Sequence, residues 1–207
     1  MVITKIEQQK NSTNRYNIYI DDEFCLSMDI GLIYELKLKA GSEVDIKALN
    51  EIIDRNEESK AFNYCLRLLG KIGKTETEIR KKLTEKGYKS EAIDRTVEKL
   101  IGLDYINDER YTDAWLRQRQ NSNLSRKIMF MKLLQKGIDK DTIKAAIENI
   151  SPDEYAAASR QAEKKLKTLK GEDKNTKRKL FAFLYGKGYN LDICRRVISN
   201  LFDDEGL

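Results

Sequence analysis

A pattern centred on glycine occurs three times along the chain, and it constrains the fold more than any other feature. The glycines are Gly87, Gly137 and Gly188, 50 and 51 residues apart, and a leucine lies four positions before each. Apolar residues or a cysteine follow each glycine at six, ten and thirteen positions. Self-similarity at one fixed period indicates a repeat protein, in which each repeat is a small packing unit. We therefore predict three consecutive structural repeats.

A hydroxyl residue twelve positions before each glycine is predicted to mark the start of a helix. These residues are Thr75, Ser125 and Thr176, and their side-chain oxygens suit an N-cap, where they accept a hydrogen bond from an otherwise unpaired N–H. Glu78 adds the reciprocal carboxylate of a capping box. The glycines suit the left-handed residue that ends a helix, and the later apolar spacing builds one face of a second helix.

A leading helix completes each repeat, so the predicted fold class is mainly α, a tandem array of three three-helix repeats with helix-turn-helix-like units. The leading helix of the first repeat is expected over residues 58–69. In the third repeat Ser151 is expected as the cap, Pro152 as the first helical residue and residue 169 as the last. One repeat is too small to bury a robust core alone, so the repeats are expected to stack. The predicted boundaries are 58–106 for repeat one, 107–150 for repeat two and 151–207 for repeat three.

Residues 1–57 have a different pattern and are predicted to form a small module that contains a β-hairpin. Segments 2–6 and 15–20 are rich in β-forming residues, and a polar turn sequence separates them. A third strand is expected at 24–28, after an acidic turn. Helical spacing then predicts a short helix ending near Gly41 and a second helix over residues 45–55.

The composition excludes several kinds of chemistry. The chain has no histidine, which removes Ser-His-Asp and Cys-His catalysis and imidazole metal sites. The three cysteines are widely spaced, which suits neither a disulfide framework nor a thiolate zinc site, and Cys65 and Cys194 are expected in the core. We predict a protein that is not an enzyme and needs no cofactor or metal.

Two segments invite other interpretations. Residues 70–75, with the sequence GKIGKT, suggest a phosphate-binding loop, but Leu68 stands where that motif requires glycine, so Thr75 is better explained as an N-cap. An acidic cluster could suggest a metal site, but carboxylates in the first turn of a helix are favoured by its dipole, and a structural role is preferred. The cluster consists of Asp104, Asp108, Glu109 and Asp113.

Charge is distributed unevenly along the chain. Residues 1–57 carry a net charge of −4, and residues 58–207 carry +9. A positive body favours a nucleic-acid or other polyanionic partner, although a solvated helix surface would also be rich in lysine. Non-specific phosphate contacts are the expected mode. The predicted contact residues are Arg117, Arg119, Arg126, Lys127, Lys132, Lys136, Lys164, Lys167, Lys177, Arg178, Arg195 and Arg196.

Three segments together resemble the RecX family of RecA regulators. They are the pattern of residues 75–88, the segment GLDYINDERYTDA at 102–114, and the Leu-x-x-x-Gly-Ile of residues 133–138. The resemblance covers the repeats, and the N-terminal module is similar to an extension found in some members.

The resemblance implies a cytoplasmic protein that binds the RecA filament on single-stranded DNA. Such a protein would inhibit recombination and repair by restraining ATP hydrolysis, strand exchange and coprotease action. Direct, non-specific DNA contact is also implied. The alternative is a DNA-binding protein that acts without a RecA partner. The N-terminus lacks the apolar segment of a secretory signal, and no apolar run is long enough to span a membrane, so we expect a cytoplasmic protein. We also expect it to be a monomer.

Overall fold

The chain is mainly helical, as the repeat pattern predicts. A computed structural model describes residues 1–10, 12–70, 73–119, 122–150, 153–169 and 174–202. Among the described helices, none combines the length and the apolar character that crossing a membrane requires. The elements are β1 (Ile3–Gln8), β2 (Arg15–Ile20), β3 (Glu23–Asp29), α1 (Ile30–Glu35), α2 (Ile46–Leu69), α3 (Glu76–Glu85), α4 (Ser90–Gly102), α5 (Asp108–Arg119), α6 (Arg126–Gln135), α7 (Lys140–Glu148), α8 (Glu154–Leu166), α9 (Lys174–Gly186) and α10 (Leu191–Leu201).

The chain divides into two compact units. The first unit contains Met1–Arg67 and Lys86–Thr96, and the second contains Leu68–Glu85 and Val97–Leu207. The second unit therefore holds α3 of repeat one and the described parts of repeats two and three, and all twelve predicted contact residues belong to it.

The first unit is built on the predicted sheet, an antiparallel meander in the order β1-β2-β3. The acidic turn between β2 and β3 is confirmed, because Asp21 and Asp22 both have positive φ, 50° and 69°, as the type I′ turn of a two-residue hairpin loop requires. One face of the sheet is buried with side chains of α1 and α2. This core consists of Ile3, Ile18, Ile20, Met28, Leu32, Ile33 and Leu49.

The helices of the first unit differ from the prediction. Separate helices were expected over 45–55 and 58–69, but α2 is one helix of 24 residues, and the predicted boundary between residues 57 and 58 lies inside it. No glycine or proline interrupts this stretch, so nothing in the chain ends the helix there. The short helix α1 ends at Glu35, earlier than expected, because Lys37 takes a positive φ of 51°.

The helix–glycine–helix pattern is confirmed in all three repeats. Gly87, Gly137 and Gly188 have φ values of 86°, 81° and 83°, the left-handed conformation that closes a helix. The apolar residues eight and four positions before each glycine are fully buried, which confirms their core assignment. They are Ile79, Leu83, Met129, Leu133, Leu180 and Leu184.

Repeats two and three each have their own core within the second unit. Trp115, Leu116 and Ile138 are buried between helices of repeat two, and Ala158, Tyr189 and Val197 are buried in repeat three. The cysteine predictions are also confirmed, since Cys65 and Cys194 are both 0% exposed. The three-helix repeat is therefore a packing unit, as its sequence period predicts.

Two details of repeat three correct the prediction. Helix α8 begins at Glu154 with Asp153 as its N-cap and ends at Leu166, so it stops short of residue 169. The predicted cap Ser151 and the predicted first residue Pro152 lie outside the described residues. Thr176 was expected as an N-cap, but α9 already begins at Lys174, which places Thr176 in the first helical turn.

Candidate interaction surface of repeats two and three

The twelve predicted contact residues lie on five helices or at helix C-caps. Arg117 and Arg119 belong to α5, and Lys136 and Lys167 are the C-cap residues of α6 and α8. Arg119, Lys136 and Lys177 are half-buried and the other nine are exposed. The structure divides the twelve into residues with structural partners and residues that face solvent.

Three of the cations lie over aromatic rings of their own repeat. The Arg119 guanidinium is 4.2 Å from the Trp115 ring centroid and the Arg196 guanidinium is 4.4 Å from that of Tyr155. The Lys177 ammonium is 5.2 Å from the Phe202 ring centroid. A cation over an aromatic face is stabilised by the ring quadrupole. These three side chains therefore serve packing, and the prediction that they contact a partner gains no support from their surroundings.

Lys136 has a structural partner across a repeat boundary. Its ammonium donates to the Glu78 carboxylate at 2.8 Å and lies 5.4 Å from the Tyr111 ring centroid. Burial alone would raise the pKa of Glu78, but hydrogen bonds from Lys136 and from the Thr75 N–H outweigh it and lower that pKa. The pKa of Lys136 is raised, because its hydrogen bonds with Glu78 and Tyr111 outweigh the effect of burial. Lys136 thus joins repeat two to repeat one.

Arg126 has the same kind of role at the next boundary. Its guanidinium lies 3.9 Å from a Glu154 carboxylate oxygen and donates to the Ile150 carbonyl at 3.4 Å. Because α8 of repeat three begins at Glu154, this ion pair connects repeats two and three.

The remaining predicted cations face solvent. Within the described part of the chain they form no ion pair. Lys127 lies beside Arg126 at a cleft between repeats two and three. These seven residues are Arg117, Lys127, Lys132, Lys164, Lys167, Arg178 and Arg195.

The hydroxyls of the two confirmed caps, Thr75 and Ser125, also join their repeats to the next one. Thr75 accepts from the Glu78 N–H at 3.2 Å, and the Glu78 carboxylate accepts from the Thr75 N–H at 3.2 Å, which confirms the predicted capping box. The same Thr75 hydroxyl donates to the Lys136 carbonyl at 2.7 Å. That carbonyl belongs to the residue just before Gly137, so one hydroxyl both caps α3 and binds the turn of repeat two.

The second boundary repeats this arrangement. Ser125 accepts from the Ile128 N–H at 3.2 Å and donates to the Lys187 carbonyl at 2.8 Å. Lys187 immediately precedes Gly188. The hydroxyl that lies twelve positions before the glycine of its own repeat therefore also contacts the glycine turn of the next repeat.

At each of these boundaries a carboxylate of the next repeat also accepts a hydrogen bond from the first N–H of the capped helix. Asp108 accepts from the Glu76 N–H at 3.0 Å, and Glu154 accepts from the Arg126 N–H at 2.8 Å. Each acid is the first residue of its helix and pairs with the first N–H of a helix in the preceding repeat. Burial raises the pKa of Asp108, although its backbone hydrogen bond opposes the shift. The sequence analysis located the two hydroxyls and Asp108 but assigned them only to their own helices.

The preferred structural interpretation of the acidic cluster is supported. Asp104 accepts from Asn107 at 3.0 Å and forms an ion pair with Arg110, and these two hydrogen bonds lower its pKa. In the described part of the chain, no group of three or more carboxylate or thiol side chains could hold a metal ion. The residues of the GKIGKT segment at 71 and 72 lie outside the described residues, and Thr75 is used as a cap.

Comparison with known proteins places these features in a family. Family models match the chain in four consecutive segments. They are the Regulatory protein RecX N-terminal domain at residues 1–45 and the first, second and third three-helix domains of RecX at residues 61–100, 107–147 and 152–198.

Curated relatives and solved structures agree with these matches. "Regulatory protein RecX" of Clostridium perfringens (strain SM101 / Type A) is 38% identical over 98% of this chain and 97% of its own length. The protein of the same name from Clostridium acetobutylicum is 35% identical over 98% and 97%.

The solved structures match over most of their length. A crystal structure of regulatory protein RecX, 27% identical, covers 99% of both chains with a TM-score of 0.68. The structure of RecX from Lactobacillus salivarius, also 27% identical, covers 72% of this chain and 98% of its own with a TM-score of 0.64. The resemblance and the predicted fold class are confirmed: this chain belongs to the RecX family.

Proposed function

We propose that this chain is an inhibitory regulator of RecA-mediated recombination and DNA repair. It binds the RecA filament on single-stranded DNA and lowers its ATPase, strand-exchange and coprotease activities. Membership of a family whose proteins are named regulatory proteins supports regulation by binding. We further propose a cytoplasmic monomer that needs no cofactor and does not act as an enzyme.

The observation that carries this proposal is the set of solvent-facing cations on repeats two and three. Arg117, Lys132 and Arg178 are exposed and form no ion pair among the described residues. A filament of protein on DNA carries a dense row of phosphates, and cations that release its counterions gain affinity without reading sequence. The division into one N-terminal module and three repeats is part of the proposal, with the repeats supplying the contact surface.

The test is an assay of RecA on circular single-stranded DNA with increasing amounts of this protein. We expect the rates of ATP hydrolysis and strand exchange to fall as the protein is added up to one per RecA subunit, and the inhibition to weaken as salt is raised. Coprotease action is measured in the same mixtures by cleavage of a repressor substrate.

The alternative, a DNA-binding protein that acts without RecA, predicts a different result. Its inhibition would disappear when the DNA is saturated with RecA before the protein is added, and the protein would bind naked duplex tightly. That result, or no inhibition at stoichiometric amounts, contradicts the proposal.

A further inference from the structure

A cleft of about 330 Å³ lies where α6 of repeat two meets the end of α9 and the start of α10. We call it the junction cleft. Its size is at the lower end of the ~300–1,000 Å³ of small-ligand pockets. The residues that define it are Arg126, Lys127, Glu154, Tyr185, Tyr189 and Asn190.

The charge of the junction cleft favours an anion. Among the described residues that line it, Glu154 is the one acid, and its carboxylate is already bound by Arg126, through the N–H at 2.8 Å and the guanidinium at 3.9 Å. Lys127 is exposed and forms no ion pair among the described residues. One positive charge therefore remains uncompensated at the rim.

The stem of the Lys127 side chain lies close to Gly188. A Cβ atom added at Gly188 would lie 3.2 Å from the Lys127 Cβ and 3.4 Å from its Cδ. The absence of a side chain at Gly188 therefore lets the lysine stem lie against the turn. The Lys127 stem therefore lies beside the cleft, where its ammonium can meet an anion.

An aromatic ring lies next to this charge. Tyr185 is 56% exposed, and its ring lies nearly parallel to that of Phe181, at 13° with centroids 6.4 Å apart. Tyr189 is buried beside the cleft, with its hydroxyl donating to the Asn123 carbonyl at 3.2 Å. Tyr185 therefore offers a π-surface to an external ring, while Tyr189 supplies a rigid wall.

We infer that the junction cleft binds one unstacked nucleotide of a single DNA strand, with its base on Tyr185 and its phosphate on Lys127. A cation beside an exposed aromatic ring is the combination that binds single strands without sequence preference, because every base has a π-face. Bases in a duplex are stacked on both faces and cannot reach the ring. The inference rests on the proposed function, in which this protein meets DNA in its single-stranded form.

The test measures binding of the full chain to a labelled oligothymidylate by fluorescence anisotropy over a range of salt, without RecA. Tyr185→Ala is expected to weaken binding about ten-fold with an unchanged salt dependence, and Tyr185→Phe to bind like the wild type, because stacking needs the ring and not the hydroxyl. Lys127→Gln keeps the stem that packs on Gly188, and is expected to reduce the slope of log K against log salt by about 0.7, the value for one phosphate of a single strand.

Two variants in the first unit serve as matched controls. Tyr34 is 75% exposed and Lys47 is exposed, so Tyr34→Ala and Lys47→Gln remove the same groups from another part of the chain. Both are expected to bind as the wild type does.

Three results would overturn the inference. The first is undiminished binding of oligothymidylate by Tyr185→Ala, and the second is a loss of affinity of this variant for the matching duplex as large as its loss for the single strand. The third is tighter binding of the wild type to oligouridylate than to oligothymidylate. The RecA assay distinguishes this failure from failure of the proposed function. If the variants inhibit RecA like the wild type and bind oligothymidylate equally well, the junction cleft is refuted and the proposed function stands.

Discussion

The Thr75 hydroxyl donates to the Lys136 carbonyl oxygen at 2.7 Å, across 61 positions of the chain. It also accepts from the Glu78 N–H, so both of its hydrogen-bonding roles are used. The Ser125 hydroxyl has the same two roles, with Lys187 and Ile128 as its partners. Each of these hydroxyls thus caps the start of a helix and also binds the glycine turn of the next repeat.

Removal of either hydroxyl is expected to destabilise the second unit. Thr75→Val keeps the shape of the side chain but leaves an N–H and a carbonyl without their partner, and Ser125→Ala does the same at the second boundary. Loss of an N-cap and of one further hydrogen bond predicts a cost of about 1–3 kcal/mol in the free energy of unfolding. Urea unfolding followed by circular dichroism measures it. Thr75→Ser keeps both bonds, and a stability as low as that of Thr75→Val would contradict this account.

The three repeat glycines are expected to differ in their tolerance of alanine. All have positive φ, so each substitution costs about 1 kcal/mol in backbone strain. A Cβ at Gly137 would overlap the Thr77 side chain, and one at Gly188 would lie 2.7 Å from the Ser125 Oγ, whereas a Cβ at Gly87 meets nothing within 4 Å.

Gly87→Ala therefore provides the matched control for contact between repeats. We expect Gly137→Ala and Gly188→Ala to lower the free energy of unfolding by about 1–3 kcal/mol more than Gly87→Ala, the usual cost of overpacking. Thermal and urea unfolding of the three variants give the comparison. Equal losses at all three positions would show that backbone strain alone sets the cost.

The ion pair between Glu78 and Lys136 is expected to contribute stability over a defined pH range. The lowered pKa of Glu78 means that its contribution is complete above its ordinary value of 4.5 and is lost as the pH falls through the lower folded value. The raised pKa of Lys136 means that its contribution is complete below 10.5 and is lost as the pH rises through the higher folded value. Between these limits the contribution is constant.

Glu78→Gln tests this pH dependence because glutamine can still complete the capping box. We expect the variant to be about 0.5–1 kcal/mol less stable than the wild type at neutral pH, and the difference to vanish in acid. Glu85→Gln removes the exposed carboxylate that pairs with Lys82 at 2.6 Å and is expected to show a smaller difference. A deficit in Glu78→Gln that persists at low pH would mean that packing, not charge, is responsible.

The three cysteines are expected to react with a thiol reagent at different rates. Burial raises the pKa of Cys65 to about 11 and also raises that of Cys194, and both side chains are fully buried. Cys25 is only half-buried. Since the thiolate is the reactive form, dithionitrobenzoate at mildly alkaline pH should titrate Cys25 alone in the folded chain and all three thiols in guanidinium chloride. Rapid reaction of the folded Cys25→Ser variant would contradict the buried positions of the other two.

The repeat architecture could be predicted from the sequence because each position of the period has a local physical cause. A hydroxyl caps a helix, an apolar residue enters the core, and a glycine takes a positive φ. The errors arose where a local signal was weak or was overridden. Nothing between residues 45 and 69 ends a helix, so α2 is continuous, and Thr176 lies inside α9 because that helix begins two residues earlier.

The candidate surface was less predictable than the fold. Charge alone could not separate Arg119, which lies over Trp115, from Arg117, which faces solvent, because the distinction depends on tertiary packing. The contacts between repeats were not predicted for the same reason. Asp108 and Glu76, for example, are 32 residues apart, and only tertiary packing brings them together. The constant spacing of twelve positions links each hydroxyl to the glycine of its own repeat, whereas the hydroxyl contacts reach the turn of the next repeat, so this spacing did not point to them.

The solvent-facing cations are expected to control binding to the RecA filament. Arg117→Glu combined with Lys132→Glu reverses two of them, and leaves Arg126 in place because its guanidinium lies beside Glu154. We expect filament affinity to fall about ten-fold or more, mainly because association becomes slower, and we expect the affinity to depend less on salt. Circular dichroism should show unchanged helicity. Lys39→Glu combined with Lys47→Glu changes the net charge equally within the first unit, where both lysines are exposed. An equal loss of affinity in this control, measured by surface plasmon resonance on immobilised filaments, would show that net charge and not the surface of repeats two and three governs binding.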